Sequence, residues 1–156
     1  MIRFTGNEDC KVDAKGRILL PIAFRKQMGD VEPYRFVVKN DLYESCLELY
    51  TIDEWERQNK LIMKNYKPLN PEDRQFLRDF SLGATEVECD SMGRILIPRR
   101  LLVQAEILNE VILLGSIGKI EIWSPALLYN SGGDKAAKRD RAISVMGDAT
   151  FNAELL

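Results

Sequence analysis

The sequence predicts an α+β fold rich in β-structure, built from two tandem copies of one small module. A block of twelve residues at 10–21 recurs 77 residues later, at 87–98, with the same spacing of Asp, Gly, Arg, Ile, Leu and Pro. A second block at 46–51 recurs 73 residues later, at 119–124. Two blocks that recur in the same order at similar offsets indicate an internal duplication. Turn and strand signals dominate each copy, so β-structure is expected to prevail.

Each repeat begins with a predicted β-hairpin followed by a short helix. Asp13 and Gly16 hold the first and fourth positions of a type I turn, and Pro21 suits the start of a helix. Later, Thr51 and Glu54 form a capping-box pattern that predicts a longer helix. The predicted elements of the first repeat are strands over 9–12, 17–20, 35–39 and 46–50 and helices over 21–28 and 51–64. Those of the second repeat are a turn at 90–93, strands over 111–114 and 119–123, and helices that begin at Pro98 and Ser124.

A helix is predicted to join the two repeats. Asn70 and Pro71 form a strong helix start, and Gly83 suits its end. Further along, Ser131-Gly132-Gly133 interrupts the chain, and the mixed charges that follow are typical of a mobile end or of a segment ordered only by its neighbours. We therefore divide the chain into a first module at 1–69, a connecting helix at 70–84, a second module at 85–130 and a C-terminal tail at 131–156.

Composition argues against several classes of protein. The 156 residues are 46% hydrophobic, which is enough for a packed core, and they include neither a long apolar run nor an apolar stretch near the N-terminus. Histidine is absent, and Cys10, Cys46 and Cys89 are too far apart in sequence for a Cys-x-x-Cys metal site. We expect a cytoplasmic protein that is not an enzyme, with no cofactor, no metal, no membrane contact and no small-molecule substrate.

Charge is distributed unevenly, although the net charge is only −2. Residues 1–26 carry six positive and three negative side chains, whereas positive and negative charges cancel over 86–104. A local basic face on an acidic protein is compatible with binding to nucleic-acid phosphates. If the chain binds DNA, the first repeat is therefore expected to supply most of the affinity.

An arginine follows the turn in both repeats, at Arg17 and Arg94. The turn explains the aspartate, the glycine and the proline of the motif, but an arginine gains nothing from the turn geometry. Its planar guanidinium is suited to bidentate contacts with phosphate or guanine. One such residue would be ordinary surface chemistry, whereas its repetition favours a role in binding.

The motif over 13–21, its counterpart over 90–98 and the block over 47–55 resemble the MraZ family of bacterial transcriptional regulators. The resemblance covers most of the chain and includes the duplication. It implies two AbrB-like modules whose swapped hairpins interlock into one pseudo-dimeric barrel with flanking helices. It also implies a closed homo-oligomeric ring that binds repeated promoter boxes on double-stranded DNA. Such a regulator would be nucleoid-associated, and it would act on the division and cell-wall gene cluster and repress its own operon.

The same resemblance implies roles for individual residues. The residues that would contact DNA are Lys11, Lys15, Arg17, Arg25, Lys26 and Arg94. The residues that would shape the turns are Asp13, Gly16, Asp90 and Gly93. The second repeat departs from the basic pattern, because it has Glu88, Met92, Leu102 and Val103 where the first repeat has Lys11, Lys15, Arg25 and Lys26.

Two other interpretations of the sequence stay open. The first is an AbrB-like antitoxin or a general transition-state-type regulator, although simple antitoxins pair two separate chains rather than two repeats in one. The second is an enzyme that uses Glu48 and Glu121; their alternation with leucine and isoleucine favours the exposed side of half-buried strands instead. Cys89, beside Asp90, is either a redox-sensitive thiol or a small buried hydrophobic residue, and the second is favoured.

Overall fold

The computed structural model describes residues 2–30 and 32–147, and the chain divides into two compact units, Met1–Pro125 and Ala126–Leu156. The elements of the first unit are, in chain order, β1 (Asn7–Lys11), β2 (Arg17–Leu19), α1 (Ile22–Met28), β3 (Arg35–Asn40), β4 (Leu47–Thr51), α2 (Ile52–Asn65), α3 (Pro71–Ser81), β5 (Thr85–Glu88), β6 (Arg94–Leu96), α4 (Arg99–Gln104), β7 (Glu110–Gly115) and β8 (Lys119–Trp123). They are followed by α5 (Pro125–Tyr129) and α6 (Lys135–Met146).

The two repeats exchange strands. Six strands form one antiparallel sheet in the order β1-β7-β8-β4-β3-β5, and β2 and β6 form a separate antiparallel ribbon. β1 of the first repeat pairs with β7 of the second, and β5 of the second repeat pairs with β3 of the first. Each hairpin therefore gives a strand to the other repeat, in agreement with the swapped hairpins that the resemblance implies.

The strands do not close into the single barrel that the resemblance implies. The six-stranded sheet ends at β1 on one side and at β5 on the other, and the ribbon is a second sheet. In each hairpin one strand joins the large sheet and the other joins the ribbon, so the two sheets stay separate. Within the described residues, an isolated bridge between Val12 and Ile18 connects them in the first repeat. The α+β, β-rich fold class and the duplicated modules are as predicted.

One face of the large sheet forms the core together with the ribbon. Val38 of β3 pairs with Leu49 of β4, so both side chains lie on the same face, and both are buried. Ile18 and Ile95 pair across the ribbon and belong to the same apolar cluster. The cluster also includes Phe24, Phe36, Leu47, Leu101, Ile120 and Ile122. The ribbon therefore lies over this inner face and turns its other side outward.

Helices α2 and α3 cover the opposite, outer face of the sheet. The Trp55 ring of α2 lies 5.9 Å from the ring of Tyr50 in β4 and stacks on Phe80 of α3 at 5.3 Å and 6°. Lys39 is buried on this face, and its Nζ atom lies 4.8 Å from the Phe80 ring centroid. The aromatic side chains thus form a second, smaller layer on the outer face.

The predicted exposure of Glu48 is wrong, because α2 and α3 cover its side of the strand. Glu48 is only 4% exposed, and its Oε1 atom accepts a hydrogen bond from Lys39 Nζ at 3.3 Å. Its Oε2 atom accepts from the Tyr50 hydroxyl at 2.7 Å and is also ion-paired with Lys119. Glu121 lies directly opposite Glu48 and is half-buried. Lys39 and Lys119 thus neutralise the Glu48 carboxylate, which the alternating sequence pattern had predicted to be exposed to solvent.

The helix starts largely follow the predicted signals. The Thr51 hydroxyl accepts a hydrogen bond from the Glu54 backbone N–H at 3.2 Å, although the Glu54 side chain pairs with Arg57 instead of completing the capping box. The Asn70 side chain caps α3 by accepting from Glu72 N at 2.8 Å.

The sequence analysis did not predict α6, which lies within the C-terminal tail at 131–156. Residues 148–156 of that tail lie outside the described part. Across 2–30 and 32–147, every helix is too short or too polar to pass through a lipid bilayer.

Candidate nucleic-acid interface

The two Asp-x-x-Gly-Arg turns have the same local geometry. In the first, Gly16 N donates to Asp13 O at 3.0 Å, and in the second Gly93 N donates to Asp90 O at 2.9 Å. Both glycines have positive φ, +89° and +81°, which side chains rarely adopt. The Oδ1 atom of Asp13 accepts two backbone N–H groups, those of Lys15 and Arg17, each at 2.9 Å. The aspartate therefore accepts the backbone N–H groups of the turn, and the glycine supplies its residue of positive φ.

Each aspartate also orients the arginine that follows its turn. Arg17 Nε donates to Asp13 Oδ2 at 2.7 Å, and Arg94 Nε donates to Asp90 Oδ2 at 2.9 Å. Among the described residues no hydrogen bond involves the Nη atoms of these arginines, and the two side chains are 27% and 34% exposed. An arginine held by Nε presents its two Nη groups as a fork, which is the geometry that binds guanine or phosphate.

The backbone N–H of Arg17, and then its guanidinium, lower the pKa of Asp13. The pKa of Asp90 is lowered chiefly by the backbone N–H of Arg94, then by the N–H of Met92 and the Arg94 side chain. Both aspartates are therefore ionised near neutral pH, and each ion pair holds its arginine in place.

The turns lie at opposite ends of the ribbon. Ile97 N donates to Gly16 O at 3.0 Å beyond one end, and Leu20 N donates to Gly93 O at 2.9 Å beyond the other. Ile18 pairs with Ile95, its own counterpart in the other repeat. An approximate twofold axis therefore relates the two strands of the ribbon. The same axis relates the two Asp–Arg turns at its ends.

Because the hairpins are exchanged, each turn lies beside the helix of the other repeat. A Cβ atom at Gly93 would lie 3.0 Å from Nη1 of Arg25, which belongs to α1 of the first repeat. At the equivalent place, a Cβ atom at Gly16 would lie 3.4 Å from Cδ1 of Leu102 in α4. Arg25 Nε is buried and has no hydrogen-bond partner within the described residues. Arg25 therefore adds positive charge to the second turn, not to the first.

The other three residues expected to contact DNA lie at three different places in the fold. Lys15 is exposed at the tip of the first turn, where the second turn has Met92. Lys26 is exposed in the last turn of α1, next in sequence to Arg25. Lys11 ends β1 and lies opposite Glu110 of β7, so it belongs to the edge of the large sheet rather than to the ribbon.

Sequence reasoning missed one arginine near the first turn. Arg99 of α4 donates from Nη2 to the Ala14 carbonyl at 3.4 Å, across the two repeats. Its counterpart in the first repeat, at the offset of 77, is Ile22, so the duplicated motif carried no signal for it. The charge of each turn therefore comes from both repeats: Arg17 with Arg99, and Arg94 with Arg25.

Cys89 lies beside the second turn but is buried, with 8% exposure, and belongs to the apolar core. Burial raises the pKa of its thiol to about 11. A thiol with that pKa is almost entirely protonated at neutral pH and is a poor nucleophile. This agrees with the favoured interpretation of Cys89 as a small buried hydrophobic residue.

One group of side chains within the described residues has the composition of a metal site. Ligand atoms of Asp41, Cys46 and Glu121 lie within 4.8 Å of one another. Burial and the two neighbouring carboxylates raise the pKa of the Cys46 thiol well above its ordinary value. The Glu121 carboxylate already accepts from Trp123 Nε1 at 3.1 Å. The group lies at the β3–β4 connection and on β8, apart from the ribbon.

Comparisons with known proteins agree in one family. A family model described as "MraZ protein, putative antitoxin-like" matches residues 3–79 and again 80–129. A protein of Christiangramia forsetii named "Transcriptional regulator MraZ" is 38% identical over 97% of this chain and 98% of its own. Proteins of the same name from Flavobacterium psychrophilum and Alkaliphilus metalliredigens are 36% and 41% identical, and cover 95% and 78% of this chain and 94% and 80% of their own lengths.

Proposed function

Because this chain belongs to the MraZ family, we propose that it is a transcriptional regulator that binds double-stranded DNA sequence-specifically through its two Asp–Arg turns. The proposal places the binding surface on the outward side of the β2–β6 ribbon and on the turns at its ends. The relatives named as transcriptional regulators support the general function.

A single observation supports the choice of surface. Arg17 and Arg94 are held through Nε by Asp13 and Asp90 in the same way, on one ribbon, and within the described residues their Nη groups make no hydrogen bond. A pre-oriented guanidinium loses little side-chain entropy when it binds, and its two Nη groups match the O6 and N7 acceptors of guanine in the major groove. Two such groups related by an approximate twofold axis suit a DNA site with two similar halves.

We extend the proposal to the assembly and to the target. The chain forms a closed homo-oligomeric ring that binds repeated promoter boxes upstream of the division and cell-wall genes and represses its own operon. Exposed apolar side chains on α2 and α3, such as Leu61 and Phe76, give the ring candidate subunit contacts. Several turns bound to several boxes would increase the affinity through avidity.

The experiment is a titration of the DNA immediately upstream of the chain's own gene, followed by fluorescence anisotropy. We expect saturable binding that weakens steeply with salt and that exceeds binding to a scrambled duplex of equal length. Light scattering on the free protein reports the assembly, for which we expect a single species larger than a dimer. Equal affinity for the scrambled duplex would refute sequence-specific binding, and a monodisperse monomer would refute the ring.

An AbrB-like antitoxin is the second candidate, and the description of the matching family supports it. An antitoxin would bind a toxin protein as well as DNA. Its assembly alone would be small, because a single chain already supplies two modules. A two-chain assembly in the scattering experiment would favour the antitoxin over the ring-forming regulator.

A further inference from the structure

The outward side of the ribbon carries two leucines as well as the two arginines. Ile18 and Ile95 face the core, so the residues before and after them face outward. Leu19 is 52% exposed, and its counterpart Leu96 is 55% exposed. The outward side is therefore a small surface of two leucines and two arginines.

The strand register places the two arginines at opposite corners of this surface and the two leucines at the other two corners. Arg17 lies opposite Leu96, and Arg94 lies opposite Leu19. Each arginine is thus adjacent to a leucine of the other repeat. The Leu96 side chain also lies near the first turn, since its Cδ1 atom would be 3.9 Å from a Cβ atom at Gly16.

These leucines do not belong to the apolar core cluster. The isoleucine pair already supplies the buried side of the ribbon, and more than half of each leucine faces water. A polar residue would serve an exposed strand position equally well for stability. The same apolar residue nevertheless stands at both equivalent positions, within the surface on which the oriented arginines lie.

We propose that Leu19 and Leu96 are specificity-determining residues that contact the C5-methyl groups of thymines in the major groove. The inference rests on the proposed DNA binding by this ribbon. A two-stranded ribbon fits the major groove, where the thymine methyl is the apolar group that distinguishes thymine from the other bases. Each half of the site would then combine a guanine that contacts an arginine of one repeat with a thymine that contacts a leucine of the other.

Charge favours DNA over a second copy of the chain as the occupant of this surface. Asp13 and Asp90 offset the charges of Arg17 and Arg94, and Lys15, Arg25 and Arg99 beside the two turns add positive charge to this surface. In a symmetric contact between two ribbons, these positive charges of one copy would approach those of the other. Like charges in close contact are unfavourable, whereas DNA phosphates would neutralise them.

The test removes the methyl groups from the DNA and leaves the protein unchanged. Each thymine within the footprint upstream of the gene is replaced in turn by deoxyuridine, which pairs identically but lacks the C5-methyl group. We expect the wild-type affinity to fall about fourfold at one thymine in each half-site, as the loss of one buried methyl group predicts. Equal affinity for every substituted duplex would overturn the inference while the proposed function would stand.

Protein variants connect the effect with the leucines. Leu19→Ala and Leu96→Ala should weaken binding to the thymine duplex and should bind the thymine and uracil duplexes equally. Leu69→Ala is the matched control, because Leu69 is 92% exposed and lies between α2 and α3. It should keep the full preference for thymine.

Two results would contradict the assignment. If Leu19→Ala and Leu96→Ala retained the wild-type preference for thymine, other residues would contact the methyl groups. If these variants changed the size of the assembly in light scattering, the leucines would form a subunit contact instead. Failure of the wild-type protein to bind any upstream duplex would refute the proposed function itself, and the inference with it.

Discussion

The guanidinium of Arg25 occupies the space beside Gly93, so that a methyl group at position 93 would lie 3.0 Å from its Nη1 atom. Arg25 comes from α1 of the first repeat, and Gly93 comes from the turn of the second. The contact shows directly that a turn and the helix beside it belong to different repeats. It also distinguishes the two glycines, because the space beside Gly16 is bordered by the Ile97 carbonyl, a backbone atom, at 3.2 Å.

We predict that Gly16→Ala destabilises the protein more than Gly93→Ala. Both substitutions place a side chain at positive φ, which costs about 1–2 kcal/mol. Beside Gly93 the crowded atoms are the end of a flexible arginine, which can move away. Beside Gly16 the crowded atom is the Ile97 carbonyl, fixed by the ribbon. Urea unfolding of the two variants measures the difference, and a larger loss for Gly93→Ala would contradict this account.

Arg17→Ala and Arg94→Ala should weaken operator binding by similar factors. The charge count along the sequence favours the first repeat, but the exchange of helices places Arg25 beside the second turn. Loss of one bidentate base contact corresponds to about 1–3 kcal/mol. Anisotropy titrations of both variants measure the effects, with Lys60→Ala as the control because Lys60 is exposed on α2, over the outer face. If Arg17→Ala weakens operator binding far more than Arg94→Ala does, the first repeat supplies most of the affinity, as the charge count along the sequence predicts.

The Asp–Arg turns should contribute to stability down to mildly acidic pH. Because the folded pKa values of Asp13 and Asp90 are lowered, their contribution is fully present above the ordinary carboxyl pKa of about 3.9 and is lost as the pH falls through the lowered values. The variant with both Asp13→Asn and Asp90→Asn should therefore lose less stability below pH about 4 than the wild type does. Urea unfolding at a series of pH values provides the comparison, and identical acid-side slopes would show that the two carboxylates contribute nothing.

The stability of the protein should fall more when one partner of the Lys39–Glu48 pair is removed than when both are replaced by apolar residues. Lys39 is 1% exposed, so Glu48→Ala leaves a buried ammonium without its direct carboxylate partner. Breaking a buried pair in this way costs about 3–5 kcal/mol, whereas apolar replacement of both partners is often neutral. We expect Lys39→Met combined with Glu48→Leu to recover part of the stability lost in Glu48→Ala, because it removes the buried ammonium of Lys39, whereas Lys119 and the Tyr50 hydroxyl still lose their acceptor. A double variant at least as unstable as Glu48→Ala would argue against this explanation.

The sequence predicted the local structure well because local signals determine it. The Asp13–Gly16 turn, the cap at Thr51 and the helix after Asn70 each depend on side chains within a few residues, and the structure has all three. The open sheet was not predictable in this way. It depends on the pairing of β1 and β2 with strands about 75 to 107 residues away along the chain, since Leu19 pairs with Arg94 and Asn7 with Leu114.

Prediction of the site met the same limit. The motif indicated Arg17 and Arg94 as candidate site residues, because a repeated residue is visible in the sequence. It could not show that Arg25 lies beside Gly93 or that Arg99 reaches the Ala14 carbonyl, since both contacts depend on the exchange between repeats. Glu48 was misplaced because alternation along a strand identifies its two faces but not which of them a helix will cover.

The exchange of hairpins has a consequence for folding while the protein is being synthesised on the ribosome. β1 pairs with β7, so Asn7–Lys11 must wait for Glu110–Gly115 to be synthesised. At about 5–20 residues per second, this interval lasts roughly 5–20 seconds. During that time β1 of the nascent first repeat has no strand to pair with. The emerging chain therefore exposes an unpaired strand edge of the kind that invites association with neighbouring chains, and only the arrival of the second repeat ends that exposure.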